Sequence, residues 1–176
     1  MLQASKEWRW LQCRAQNRLL VDLGDELQLC TPYRLRQLTA DSDSSPTFSV
    51  EEAAFYQNVF DYLCTYSVWS EAQCCQIALN ATAAKFHLLP VQAKSWFFQA
   101  YVGNEVLCNA VISLKSKVMT GECLIVDHER DASLCINLTA NFQLDENISL
   151  EQFQAIKVLN DRIHPVLSSN KVSRRA

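Results

Sequence analysis

The sequence predicts an α+β protein whose helix-rich first half meets a strand-rich second half near Pro90. Three observations carry this expectation. Ser49 with Glu52, and Ser70 with Gln73, are capping patterns, each heading an apolar repeat of three to four residues. After Pro90 the apolar period falls to two, in β-branched or aromatic runs separated by polar turns. The 176 residues suit one domain or two small, tightly joined ones, and 49% hydrophobic with 20% charged residues is a globular composition.

In the first half, Trp8-Arg9-Trp10-Leu11-Gln12-Cys13 alternates, Leu19-Leu20-Val21-Asp22-Leu23 is a short apolar run, and Leu27-Gln28-Leu29-Cys30 alternates again. Polar turns at 14–18 and 24–26 separate these runs, so a three-stranded meander is expected. Pro32 suits the first turn of a helix through Leu38, where its missing N–H is not needed. A polar loop over 39–47 leads to Ser49 and a helix over about 50–66, with Phe55, Val59, Tyr62 or Leu63, and Tyr66 on its buried face. Ser70 opens a second helix carrying Cys74, Ile77, Ala81, Ala84 and Leu88, ended by Pro90.

Beyond Pro90, the segments 94–101, 105–114, 121–127 and 134–138 read as strands of a consecutive antiparallel sheet. Ser149 with Gln152 repeats the capping pattern. Phe153, Ile156, Leu159 and Ile163 then give a last helix its apolar stripe before Pro165, and the tail after Val166 is polar.

Composition excludes much chemistry. Only Gly24, Gly103 and Gly121 are present, so neither a dinucleotide fingerprint nor a phosphate-binding loop can be written. A net charge of −3 argues against nucleic acid, whose binding rests on many Lys and Arg contacts to phosphate. No apolar run reaches the roughly 18 residues of a membrane span, and the polar start lacks the order of a signal peptide, so a cytoplasmic protein with reduced thiols is expected.

At several residues chemistry competes with packing. Cys74 and Cys75 are helix neighbours that point about 100° apart, which suits buried structural thiols better than a shared metal. Cys123, His128 and Cys135 fit no zinc spacing and want a fourth ligand. His87, His128 and His164 sit at element ends with no nucleophile beside them. Neither a catalytic site, a metal nor a cofactor is expected. Trp8 and Trp10 project to one face of their strand and Trp96 lies in another; core packing accounts for two of the three, while large aromatics also line protein-binding grooves. Lys94 beside Trp96, and Arg162 beside Asp161, place charge at the edges of apolar elements.

Taken in order, the motifs resemble ZapC, a bacterial cell-division family associated with FtsZ. Trp8-Arg9-Trp10, Asp22-Leu23, Leu38-Thr39 with Asp41, and Phe48, Val50, Ala53-Ala54 and Tyr56 carry the first part of the likeness. Leu79-Asn80-Ala81, Ala84, Leu88 and Pro90 lead into Lys94-Ser95-Trp96 with Phe98; Ala155-Ile156-Lys157 leads into Asn160-Asp161-Arg162 and Pro165. The resemblance runs from Trp8 to Pro165 and is loose over 101–133.

It implies a non-enzymatic factor of the midcell division ring, monomeric and without cofactor, that binds FtsZ polymers, bundles them laterally and lowers their GTP turnover. It also implies two closely packed domains, the second a twisted, barrel-like sheet; the boundary near Pro90 read from the residues divides them into 1–90 and 91–176, with the expected terminal helix in the second. An apolar groove between the aromatic face of the 50–66 helix and the strand of Trp8 and Trp10, with Arg9 among nearby arginines, and a polar surface of Lys94, Trp96, Asp161 and Arg162 are the expected contacts. The competing expectation is a cytosolic small-ligand or peptide-binding domain.

Overall fold

The computed structural model describes residues 2–39, 45–103 and 110–166. Among them are two α-helices and nine strands, the strands in three antiparallel sheets, so the fold is α+β. The chain divides into two compact units, Met1–Val91 and Gln92–Ala176.

The first unit begins with the expected meander, β1 (Arg9–Cys13), β2 (Arg18–Asp22) and β3 (Gln28–Cys30), paired in the order β1-β2-β3. Its second turn uses Gly24 at φ 79°, a left-handed conformation open to glycine at little cost, and the Asp22 carboxylate accepts the Gly24 N–H at 3.0 Å. Both capping boxes form. Ser49 heads α1 (Val50–Thr65) and Ser70 heads α2 (Glu71–His87), each serine accepting an N–H from the residue three positions on.

Three expectations for this unit need correction. The helix expected from Pro32 shrinks to a 3₁₀ turn, Leu35–Gln37, because Leu38 leaves in an extended conformation to bridge Leu88. The buried face of α1 is Glu52, Tyr56, Phe60 and Leu63, displaced from the stripe read through Phe55 and Val59. An acidic residue, Glu52, lies on that face, and apolar spacing alone assigns such residues to solvent. Lastly, Trp8 precedes β1, and both Trp8 and Trp10 are only 2% exposed. Trp8 meets Phe48 and Tyr56 edge-to-face at 5.4 and 5.3 Å, so these rings form core.

The second unit is built on β4 (Val111–Lys115), β5 (Thr120–His128), β6 (Ala132–Asn137) and β9 (Ala155–Leu159), in the order β4-β5-β6-β9, with a small β7–β8 hairpin (Phe142–Gln143 and Ser149–Leu150) beside it. Phe98, Ile112, Leu114, Phe142, Ile156 and Val158 are among its core. Parts of the expected loop over 39–47 and strand over 105–114, and the tail beyond Val166, fall outside the described residues.

Here the sequence misled most. The terminal helix is absent: Ser149 belongs to β8, Phe153 takes φ 68°, and 155–159 is strand. Its burial alternates, with Ile156 and Val158 inside, whereas the apolar spacing Phe153, Ile156, Leu159 and Ile163 imitates a helical period by joining a turn, a strand and a second turn. The strand expected over 94–101 is a strap with one 3₁₀ turn, Ser95–Phe97. Among the described residues, the sheet does not close into a barrel. Single bridges, Ala93 to Lys157 beside β9 and Ser113 to His164 beside β4, replace full ladders at its margins.

Gly121 in β5 is required by close approach. A Cβ there would lie 2.7 Å from the Phe142 ring, which is fully buried. Gly121→Ala is expected to cost about 1–3 kcal/mol through overpacking. The denaturation midpoint measures it, and an unchanged midpoint would mean that the ring has room to move.

Candidate functional site

Two places gather the residues singled out by sequence, one in each unit. In the first, a cavity of about 200 Å³ is lined by Trp10, Gln12, Leu19, Leu38, Thr39, Pro46, Phe86 and His87. Strand alternation puts Trp10 and Gln12 of β1 on this side. Backbone bonds from Thr39 N–H to the His87 carbonyl (2.9 Å) and from Leu89 N–H to the Gln37 carbonyl (2.8 Å) fasten the end of α2 to the opposite wall. The aromatic face of α1 expected there contributes nothing to the lining; Phe86 and His87 of α2 do.

Glu52 organises this wall. One carboxylate oxygen accepts the Ser49 N–H at 2.7 Å, completing the cap of α1, and the other pairs with His87 Nε2 at 2.5 Å. The imidazole lies against Trp10, ring centroids 4.4 Å apart, while Trp10 stacks on Phe48 at 5.2 Å. Burial by itself would raise the carboxyl of Glu52. The bonds from His87 and Ser49, the nearby Trp10 indole N–H and the His87 charge outweigh it, holding Glu52 below its ordinary value. Trp10 Nε1 is sealed from solvent and has no partner with full hydrogen-bond geometry.

The sign of this shift sets a prediction. A depressed carboxylate contributes stability above its unfolded value of about 4.3 and loses it as pH falls through the lower folded value. Wild-type protein should therefore lose stability more steeply than Glu52→Gln in denaturant titrations between about pH 6 and about pH 2. Parallel curves would remove Glu52 from the acid response.

In the second unit, the two signature triplets are stitched together. Lys94 N–H bonds the Lys157 carbonyl at 2.9 Å, Ser95 Oγ accepts the Leu159 N–H at 2.8 Å, and Tyr101 N–H bonds the Asp161 carbonyl at 2.8 Å. Arg162 Nη1 reaches the Phe98 carbonyl at 3.3 Å. Thus Ser95–Phe97 and Asn160–Arg162, both 3₁₀ turns, hold one another in place. Buried Ser95 takes the inward position, leaving Trp96 68% exposed beside exposed Lys94. Leu159, held by Ser95, is 40% exposed.

The residues of the last triplet divide their tasks. Asn160 donates through Nδ2 to the carbonyls of Glu129 and Arg130, each at 3.0 Å, and accepts from buried Ser133 Oγ at 2.7 Å, so it secures the β5–β6 turn. Asp161 faces solvent and stands 3.4 Å from Arg162 Nε, which is itself buried. Arg162 ties the strap to the sheet. Exposed Arg9 opens β1. The sequence reading missed Glu52, whose capping pattern was visible but whose contact with His87 spans 35 positions.

Among the described residues, no group of three or more His, Cys, Asp or Glu side chains is placed to hold a metal ion, and no helix is long and apolar enough to cross a membrane.

Comparison with known proteins agrees with the motifs. Residues 1–89 match a family model described as cell-division protein ZapC, N-terminal, and residues 90–169 match the corresponding C-terminal model. The chain is 57% identical to a cell division protein ZapC of Pseudoalteromonas translucida over 176 residues, covering 100% of both. It is 38% identical to one from Shewanella woodyi, covering 99% of this chain and 94% of the relative. With one from Ferrimonas balearica the identity is 33%, over 92% of this chain and 90% of the other.

Proposed function

The chain belongs to the ZapC family of cell-division proteins, and from that membership we propose that it binds FtsZ polymers at the midcell ring, bundles them laterally and lowers their GTP turnover. It acts in the cytoplasm as a monomer, by adhesion and without catalysis. The observation that carries this reading is Trp96, a large aromatic ring left 68% exposed by a turn that its neighbours hold rigid. Exposed tryptophans supply binding energy out of proportion to their number. Lys94 beside it adds a cation that can orient an acidic partner although the whole chain carries −3.

Bundling needs two contacts per molecule. The Trp96 surface is one, and the cavity walled by Trp10 and His87 is the other, with Trp8 supporting that wall from the core. Weak contacts repeated along a polymer become effectively intramolecular, which raises avidity by about 10²–10⁴. Modest affinity at each surface is therefore enough.

Light scattering of FtsZ with GTP, with and without this protein, tests the reading directly. Scattering and pelleted mass should rise while phosphate release falls, and Lys94→Asp should weaken all three effects without altering the circular dichroism spectrum. An unchanged filament suspension would overturn the proposal. The cavity also favours a second reading, a pocket for a small ligand or peptide. That alternative predicts thermal stabilisation by a ligand and indifference to FtsZ.

A further inference from the structure

The cavity of the first unit has features that adhesion does not use. Trp10, Leu19 and Leu38 line it and are themselves buried, so its floor is apolar, while the lining residues Gln12 and Thr39 are exposed and mark its mouth. Backbone bonds fix the walls before anything enters. The Trp10 N–H bonds the Pro46 carbonyl at 3.0 Å, and Leu38 bridges Leu88 between the two bonds that fasten the end of α2. A preformed space of about 200 Å³ has room for one aromatic ring with a small substituent, since an apolar cavity of about 150 Å³ takes up benzene.

One polar ring interrupts this lining. A carboxylate only accepts hydrogen bonds, and Glu52 already holds the Ser49 N–H with one oxygen, so the proton between its other oxygen and His87 belongs to His87 Nε2. In the neutral imidazole, Nδ1 is then a lone pair, and it has no hydrogen-bond partner among the described residues. Glu52 thus sets the tautomer of His87 and leaves an acceptor on a ring that lines the cavity.

We propose that this cavity binds a small neutral aromatic molecule carrying one hydroxyl or ring N–H, such as a phenol or an indole, whose proton is accepted by His87 Nδ1, and that its occupancy withdraws one of the two filament contacts. The donor follows from the unmade bond. A purely apolar ring would leave Nδ1 desolvated and unpaired, and a carboxylate would set its charge against a lone pair backed by the Glu52 carboxylate. The regulatory half rests on the reading of this cavity as the second contact for FtsZ, whereas the binding half stands without it.

Titration calorimetry of the full chain with phenol, toluene and benzoate tests the binding half. Phenol should bind at about millimolar concentration, roughly five- to tenfold tighter than toluene, the worth of one hydrogen bond, and tighter than benzoate. Gln12→Trp, which sets a large ring at the mouth from an exposed strand position, should abolish phenol binding with an unchanged circular dichroism spectrum. No heat from phenol, toluene or benzoate bound as well as phenol, or undiminished binding to Gln12→Trp would each overturn the site. In the presence of FtsZ and GTP, saturating phenol should lower light scattering, with the chain still carried into the pellet, and toluene at the same concentration should not. Scattering unchanged by saturating phenol would overturn the regulation. A chain that never bundles FtsZ overturns the adhesive reading and the regulation with it, while the calorimetry still decides the ligand.

Discussion

Trp8→Ala is expected to destabilise the first unit by about 3–5 kcal/mol, the usual cost of deleting a buried aromatic ring. The magnitude follows from position. Trp8 is 2% exposed and meets Phe48 and Tyr56 edge-to-face, and Phe48 in turn stacks on Trp10, so its removal leaves a void beside the rings that shape the cavity wall. With roughly 5–15 kcal/mol as a typical total, much of the unit's stability would go. Denaturant titration followed by circular dichroism measures the loss, and any fall in FtsZ pelleting should track it. A wild-type midpoint would show that Trp8 is not a core residue.

Trp96→Ala should do the reverse. Surface replacements away from caps and cores usually change stability by no more than about 0.5 kcal/mol, whereas a central aromatic anchor can cost about 2 kcal/mol or more of binding, near 30-fold in affinity. The ring projects from a turn whose geometry is maintained by Ser95 and the backbone, neither of which the substitution touches. Co-sedimentation across a concentration series, with thermal melts in parallel, reads both quantities. Undiminished pelleting would remove Trp96 from the interface, and a collapsed melt would assign it a structural task.

Arg162 needs a different experiment from Lys94. Its guanidinium braces the Phe98 carbonyl while Nε is buried, so charge reversal there disturbs the strap as well as any surface. Lys94 is exposed and is tied to Lys157 through its backbone N–H, so its substitution separates charge from structure. Neighbouring members of the two signature triplets thus differ in what their substitution reports.

Local rules were enough where an element is defined by its own residues. Ser49 with Glu52 and Ser70 with Gln73 announce α1 and α2 because a cap and its partner lie within one helical turn. The meander was legible from alternation and the Gly24 turn. By the same standard, the four residues read as a terminal helix had convincing spacing, yet Phe153 at positive φ ends any continuity and β6 supplies Ala155–Leu159 with a strand partner. Periodicity cannot distinguish such a coincidence, since a strand is recognised by its neighbours.

From residue order alone come the family, the α+β class, the capped helices and the poverty in glycine that excludes phosphate-binding loops. Folding in three dimensions decides which tryptophans are inside, that Glu52 meets His87, and that Lys94-Ser95-Trp96 lies against Asn160-Asp161-Arg162. The reason is distance along the chain. Caps and turns are short-range interactions encoded by adjacent residues, whereas burial and pairing depend on partners dozens of positions away, which no local pattern specifies.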